Sequence, residues 1–222
     1  MTGPHDGDDD RTDDGDDRAP TVRDDALDAL EECVGLKDER RTGWQLRGVD
    51  DPESVAAHTW GVSLLSLAFA EEAGVNPDRA LRLAVVHDLA EARTGDVPTR
   101  ADPADEPVDA GEKERRERAA MADLAAPFPA LGEAWEAYER RDTPEARFVK
   151  DMDLVDMCLQ ALVYERQGRY DEDGEFDSNY DRLDEFFATA EPRLSTEIGR
   201  DLYDLIRARY DALGDDADDE SP

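Results

Sequence analysis

Apolar residues in this chain return every three or four positions, and nowhere do they alternate over the length of a strand. That period fits one face of a helix and excludes the half-buried strand, whose apolar residues fall on every second position. Val55, Val62, Leu65 and Phe69 make one stripe, with His58 in step. Phe148, Met152, Val155, Leu159 and Leu162 make another, and Leu202, Leu205, Ile206 and Tyr210 a third. No hairpin dipeptide joins β-branched runs. The expectation is an all-α fold, a single bundle of about six to eight helices.

Start and stop signals place those helices. The first spans Asp24–Val34, with Ala26, Leu27, Leu30, Cys33 and Val34 as its stripe and Gly35 as its end. Asp51 as N-cap and Pro52 at the first helical position open a second, which runs on toward Ala73. Asn76-Pro77 opens a third, which carries the apolar run Leu81–Ala92. Further helices are expected over Glu112–Ala125, Leu131–Tyr138, from Thr143-Pro144 onward, and over 180–190 and 193–212. The mixed charges of Glu112–Arg118 read as a solvated face. Residues 97–111, with several Pro and Asp, read as a mobile surface loop and a candidate lid, and Tyr170–Ser178 as an acidic turn. Residues 1–20 and 213–222 are acidic tails with too little apolar surface to fold. One domain, 21–212, remains.

The formal net charge is -33, and the only lysines are Lys37, Lys113 and Lys150. A dense carboxylate surface with arginine as the main cation is what concentrated salt, a halophilic setting, favours, because salt screens like-charge repulsion. A basic protein partner is the lesser alternative, since the acid is spread along the whole chain. Binding of a nucleic-acid polymer through a basic face is excluded. No apolar run approaches the ~18 residues of a membrane span. No secretory signal stands at the N-terminus, so a cytoplasmic protein is expected. Cys33 and Cys158 lie in apolar helical stretches without zinc-ligand spacing and read as buried free thiols.

The chemistry concentrates on two histidines. Of His5, His58 and His87, the first lies in the N-terminal tail and the other two lie on apolar helical faces. His87 is followed at once by Asp88, and Glu91 stands one helical turn further on. An unpaired imidazole and carboxylates on a buried face cost several kcal/mol in principle, and a divalent cation removes that cost. A late carboxylate completes the set. Asp153 is favoured by its four-residue step from Val149, with Asp151 and Asp156 as competitors. Two imidazoles and two carboxylates suit one divalent transition metal, Mn, Co, Fe, Ni or Zn, better than Ca. Such an ion lowers the pKa of a bound water and withdraws charge from a phosphoryl oxygen. Glu91 is placed to orient that water or take its proton. Asp96, just past the Thr94-Gly95 break, can face the same pocket. Trp44 lies among arginines in the irregular stretch 37–49; it either caps the core or forms a substrate wall with Arg41 or Arg47 near a phosphate. Its position just before the first histidine helix favours the wall.

The ordered blocks Arg41-Thr42-Gly43-Trp44, Pro52–His58, His87-Asp88-Leu89-Ala90-Glu91, Gly95-Asp96, Glu112–Glu117 and Asp153–Ala161 resemble the HD-domain metal-dependent phosphohydrolases. More narrowly they are similar to the YfbR-type 5′-deoxynucleotidases and their HD-domain-containing relatives, over roughly residues 25–190. The resemblance implies a single metal held by His58, His87, Asp88 and Asp153. It implies Glu91 at the nucleophilic water, Asp96 at substrate or water, and Trp44 against the sugar. The implied reaction removes the 5′-phosphate of deoxynucleoside monophosphates, and the implied assembly is a homodimer. One departure stands out. The YfbR branch carries an arginine directly before the tryptophan; here that residue is Gly43, with Arg41 and Arg47 nearby. A triphosphohydrolase or phosphodiesterase of the same superfamily, and a non-catalytic metal- or nucleotide-binding module, are the competing readings. A two-metal site would need further histidines.

Overall fold

In the computed structural model, which describes residues 22–102, 104, 106–170, 180 and 182–219, every regular element is helical. The helices are α1 (Asp24–Val34), α2 (Thr42–Leu46), α3 (Val55–Phe69), α4 (Pro77–Val86), α5 (Glu91–Thr94), α6 (Ala110–Leu124), α7 (Pro129–Arg140), α8 (Pro144–Gln167), α9 (Asp184–Ala190) and α10 (Glu197–Asp219). The tail at 1–20 and nearly all of the acidic turn fall outside the described residues. α10 continues past the expected end at 212.

α8 is the axis of the bundle. Thr143 caps it by accepting from the Ala146 N–H, Pro144 takes the first turn, and Gly168 ends it with φ +57°. It packs against α3, α4, α7, α9 and α10, and its middle, residues 151–156, is buried on every side. Phe148, Val149, Met152, Val155, Cys158 and Leu162 are buried on it, with Trp135, Tyr138, Leu83, Val62, Phe187 and Tyr210 around them. A helix enclosed on all sides should be apolar all round, yet Asp151, Asp153 and Asp156 are buried in its middle. Asp151 is structural: it accepts from the Ser195 and Thr196 N–H groups and from both hydroxyls at 2.6–3.1 Å, which fastens the start of α10.

Several sequence expectations shift. α3 starts at Val55 and is capped by Ser54, whose side chain accepts from Ala57 N–H. Asp51 instead sits in a turn with φ +45°, and the extended residues after it pair with 39–41 through an Arg40–Ser54 bridge. That pairing uses the Arg41 and Val55 N–H groups, so a helix could not have begun earlier. The run Leu81–Ala92 is not one helix: α4 ends at Val86, residues 87–90 form a turn, and α5 follows. On α1 the small residues Ala26 and Ala29 face inward while Leu27, Leu30 and Val34 are exposed. Periodicity reveals a stripe, but the closer approach offered by alanine decides which stripe docks. Leu159 and Leu205 are also at the surface, and Cys33 is only half-buried.

Candidate active site

Three elements bring the site together. The first turn of α3 supplies His58, the end of α4 and the turn after it supply His87 and Asp88, and the middle of α8 supplies Asp153. His87 Nδ1 donates to the Ala84 carbonyl at 2.7 Å, which aims Nε2 inward. His87 Nε2 lies 3.4 Å from His58 Nε2 and 3.1 Å from Asp88 Oδ2. His58 Nε2 lies 3.0 Å from Asp153 Oδ1 and 3.7 Å from Asp88 Oδ2. One atom each from His58, His87 and Asp88 lies within 4.8 Å of the others. Two imidazole nitrogens and the Asp88 carboxylate, with Asp153 Oδ1 against His58 Nε2, form a donor set that could hold a divalent transition cation.

The electrostatics fit that description. Burial and the Arg41 charge push His58 down, but its hydrogen bonds with Asp153 and Asp156 outweigh them and bring it to about 10. Burial opposes ionisation of Asp88, yet the His87 imidazole holds it well below the carboxylate range. Asp153 is likewise held low against burial, by Lys150 at 2.7 Å and by His58. Glu91 goes the other way. Burial, and then the charges of Asp88 and Asp96, raise it well above its usual value. Glu91 is 5 % exposed, and its Oε2 is buried without a hydrogen-bond partner. Such an orphan beside a ligand cluster marks a group waiting for a substrate, water or ion.

A cavity opens on this cluster, lined by Asp88, Glu91, Asp96 and Asp153 and also by Trp44, Met157 and Phe186. Arg41 lines it too, its Nη1 3.5 Å from Asp88 and 3.3 Å from Asp96. Asp96 in turn accepts from the Thr42 N–H, and the Thr42 hydroxyl donates to the Asp96 carbonyl at 2.9 Å. Gly95, at φ +71°, makes the corner that turns Asp96 back toward the site. Trp44 lines the cavity but is only 1 % exposed: its ring lies 3.8 Å from that of Phe186, and its Nε1 donates to Glu53. It is therefore both core cap and wall, the two readings its sequence context left open. Lys113 also lines the cavity and donates to the Val97 carbonyl at 2.7 Å, which fastens the start of the expected lid.

Arg47 does not join this group. It is buried, and its guanidinium donates to the Tyr180 and Arg182 carbonyls, so it braces the entry to α9 instead of contacting a phosphate. The charged stretch of α6 is solvated only in part. Arg115, Arg116 and Arg118 pair with Glu112 and Glu114 outside, while Lys113 and Glu117 turn toward the interior. The scarcity of lysine was the signal: two of the three in the chain, Lys113 and Lys150, line the cavity. Tyr138, whose hydroxyl is 3.4 Å from Asp153, gave no such signal.

With this fold and cluster in place, the chain belongs to the HD-domain family, whose sequence model matches residues 33–195. The chain is 36 % identical over 188 residues to the 5′-deoxynucleotidase HDDC2 of Xenopus laevis, covering 82 % of this chain and 86 % of that one. It is 37 % identical over 161 residues to the protein of the same name from Danio rerio, covering 70 % and 73 %. A solved structure of a conserved hypothetical protein from Pyrococcus furiosus matches with a TM-score of 0.64 at 33 % identity, over 82 % of this chain and 98 % of that one.

Proposed function

We propose that the protein is a metal-dependent 5′-nucleotidase that hydrolyses deoxynucleoside monophosphates to nucleoside and inorganic phosphate. The observation that carries this reading is the cluster of His58, His87 and Asp88, with Asp153 against His58, beside a cavity that also holds Glu91 and Arg41. Those four would hold one divalent transition metal. When bound, such an ion supplies Lewis acidity to the phosphoryl oxygens and lowers the pKa of the attacking water.

The chain's own residues do the rest. Arg41, kept charged by Asp88 and Asp96, binds the phosphate dianion. Lys113 and Lys150 add positive charge to the same cavity. Glu91 accepts the proton of the water that attacks phosphorus; it is buried at the cavity with an oxygen that has no hydrogen-bond partner. As the new P–O bond forms, the P–O5′ bond breaks, Glu91 passes the proton on to the departing O5′, and the nucleoside leaves with its 5′-hydroxyl. Asp96 anchors Arg41 and faces the same space as substrate or water. Trp44 and Phe186 wall the sugar, and the rigid Trp44 ring leaves little room for a 2′-hydroxyl.

The chain works as a homodimer in the cytoplasm, in concentrated salt. The outward face of α3 supports the pairing: Ala57, Trp60, Leu64, Leu67 and Ala68 are exposed, and the helix carries no Asp, Glu, Lys or Arg. Among the described residues, no helix is long and apolar enough to cross a membrane.

The test is phosphate release from dAMP, AMP, dATP and cyclic AMP in high salt, after chelation and re-addition of Mn, Co, Zn or Mg. Release from dAMP above AMP, absent in chelator, is expected. Release from dATP or cyclic AMP alone would move the substrate, and tight metal binding without release would leave a binding module.

A further inference from the structure

His58 has two ring nitrogens, and only one of them faces the cluster. The other, Nδ1, is 2.7 Å from Asp156 Oδ2. Asp156 lies three residues beyond Asp153 on α8, so the two carboxylates bracket the same imidazole from either side. Asp156 lines neither cavity beside the cluster and is buried. It is therefore not placed to touch a substrate.

Its seat is unusual. A Cβ added to Gly61 of α3 would lie 2.1 Å from Asp156 Oδ1 and 2.8 Å from its Cγ. No real side chain tolerates that contact, so the carboxylate occupies the space that any other residue at 61 would fill. Gly61 lies three positions after His58, nearly one turn along the same helix face. The glycine costs helix propensity, about 1 kcal/mol relative to alanine. What it admits is a carboxylate at His58 Nδ1.

We propose that Asp156 is a positioning residue for the metal, and that Gly61 is the residue that makes room for it. The inference rests on the reading that His58 is a ligand. By accepting the Nδ1–H, Asp156 selects the tautomer whose Nε2 lone pair faces His87, Asp88 and Asp153. It also fixes the ring plane and raises the basicity of Nε2. Removal of such an outer carboxylate typically weakens metal binding about 10–100-fold.

The experiment measures the dissociation constant for Mn²⁺ or Co²⁺, by competition with a chromophoric chelator, together with the melting temperature of the metal-free chain. D156N keeps the volume against Gly61 and loses the charge. It should bind metal about 10–100-fold more weakly while still folding cooperatively without metal. G61A should weaken metal binding in the same way with Asp156 intact, because it drives the carboxylate off Nδ1. In the background of D156A, whose side chain leaves the space open, G61A should cost nothing further.

Metal affinity within twofold of the parent in D156N would overturn the proposal. So would a G61A penalty undiminished in the D156A background, or a D156N chain that fails to fold, since Asp156 would then be a structural residue. A parent chain that binds metal but releases no phosphate from any nucleotide would sink the proposed function and leave this inference standing.

Discussion

Replacing Glu91 with Gln should move activity and stability in opposite directions. Glu91 is nearly fully buried, one of its oxygens has no hydrogen-bond partner, and its nearest charges are the carboxylates of Asp88 and Asp96. A buried polar atom left unsatisfied costs about 1–3 kcal/mol. E91Q leaves that oxygen unpaired but cannot ionise beside Asp88 and Asp96, and relief of that repulsion is worth about 1–2 kcal/mol. For a domain of this size that is a rise in melting temperature of about 2–8 °C.

The pH dependence has a defined sign. The folded pKa of Glu91 lies above its unfolded value, near 4.5. The folded chain therefore binds more protons than the unfolded one, and this group's contribution to stability falls as pH rises above that value. The advantage of E91Q should vanish near pH 4 and grow as pH rises above it. Turnover should meanwhile drop about 10²–10⁴-fold, the usual worth of a positioned general base. The assay is thermal unfolding in chelator at pH 4 and pH 8, paired with phosphate release from dAMP in metal. A variant less stable than the parent at pH 8, or equally advantaged at pH 4 and pH 8, would refute the electrostatic account. Unchanged turnover would remove Glu91 from the chemistry.

Four further outcomes follow from the geometry. D151A strands two backbone N–H groups and two hydroxyls at the start of α10 and should cost about 3–5 kcal/mol in urea unfolding; a loss below about 1 kcal/mol would show that α10 does not depend on this anchor. Arg41 Nη1 alone meets both Asp88 and Asp96, leaving the other guanidinium N–H groups for the phosphate; R41K keeps the charge but loses them, so kcat/KM should fall about 10–100-fold, and an unchanged value would assign the phosphate to other cations. A thiol reagent should label Cys33 in the native protein, whereas Cys158, buried and with its thiol pushed up by that burial, should react only in denaturant. Trp60 is 69 % exposed at the centre of the charge-free face of α3, and W60E should leave a folded monomer by light scattering; an unchanged dimer would place the interface elsewhere.

Fold class was legible because burial imposes a period, and a period survives in the sequence. What did not survive was phase. On α1 the stripe was visible, but the inward side belongs to Ala26 and Ala29. In the middle of α8 every residue from 151 to 156 is buried, so spacing from Val149 could not rank Asp151, Asp153 and Asp156. All three are buried, and they serve different partners: the start of α10, His58 Nε2 and His58 Nδ1. His58, His87 and Asp88 could be named as a group because an unpaired imidazole on an apolar face needs a reason. Their meeting depends on the turn at 87–90, which the continuous apolar run concealed. Arg41 and Arg47 looked equivalent in sequence. Arg41 is held by Asp96 after the corner at Gly95, while Arg47 is drawn to carbonyls more than a hundred residues away.

Position 43 has a consequence for how specificity can drift in chains of this kind. Gly43 lies against Phe186, and a Cβ there would come within 3.3 Å of the ring edge. That ring also stacks on Trp44. Any side chain placed directly before the tryptophan would press Phe186 back by a few tenths of an ångström, and Trp44 would feel that shift. What position 43 can carry is therefore coupled to what stands at position 186, far along the chain, while His58, His87, Asp88 and Asp153 remain untouched.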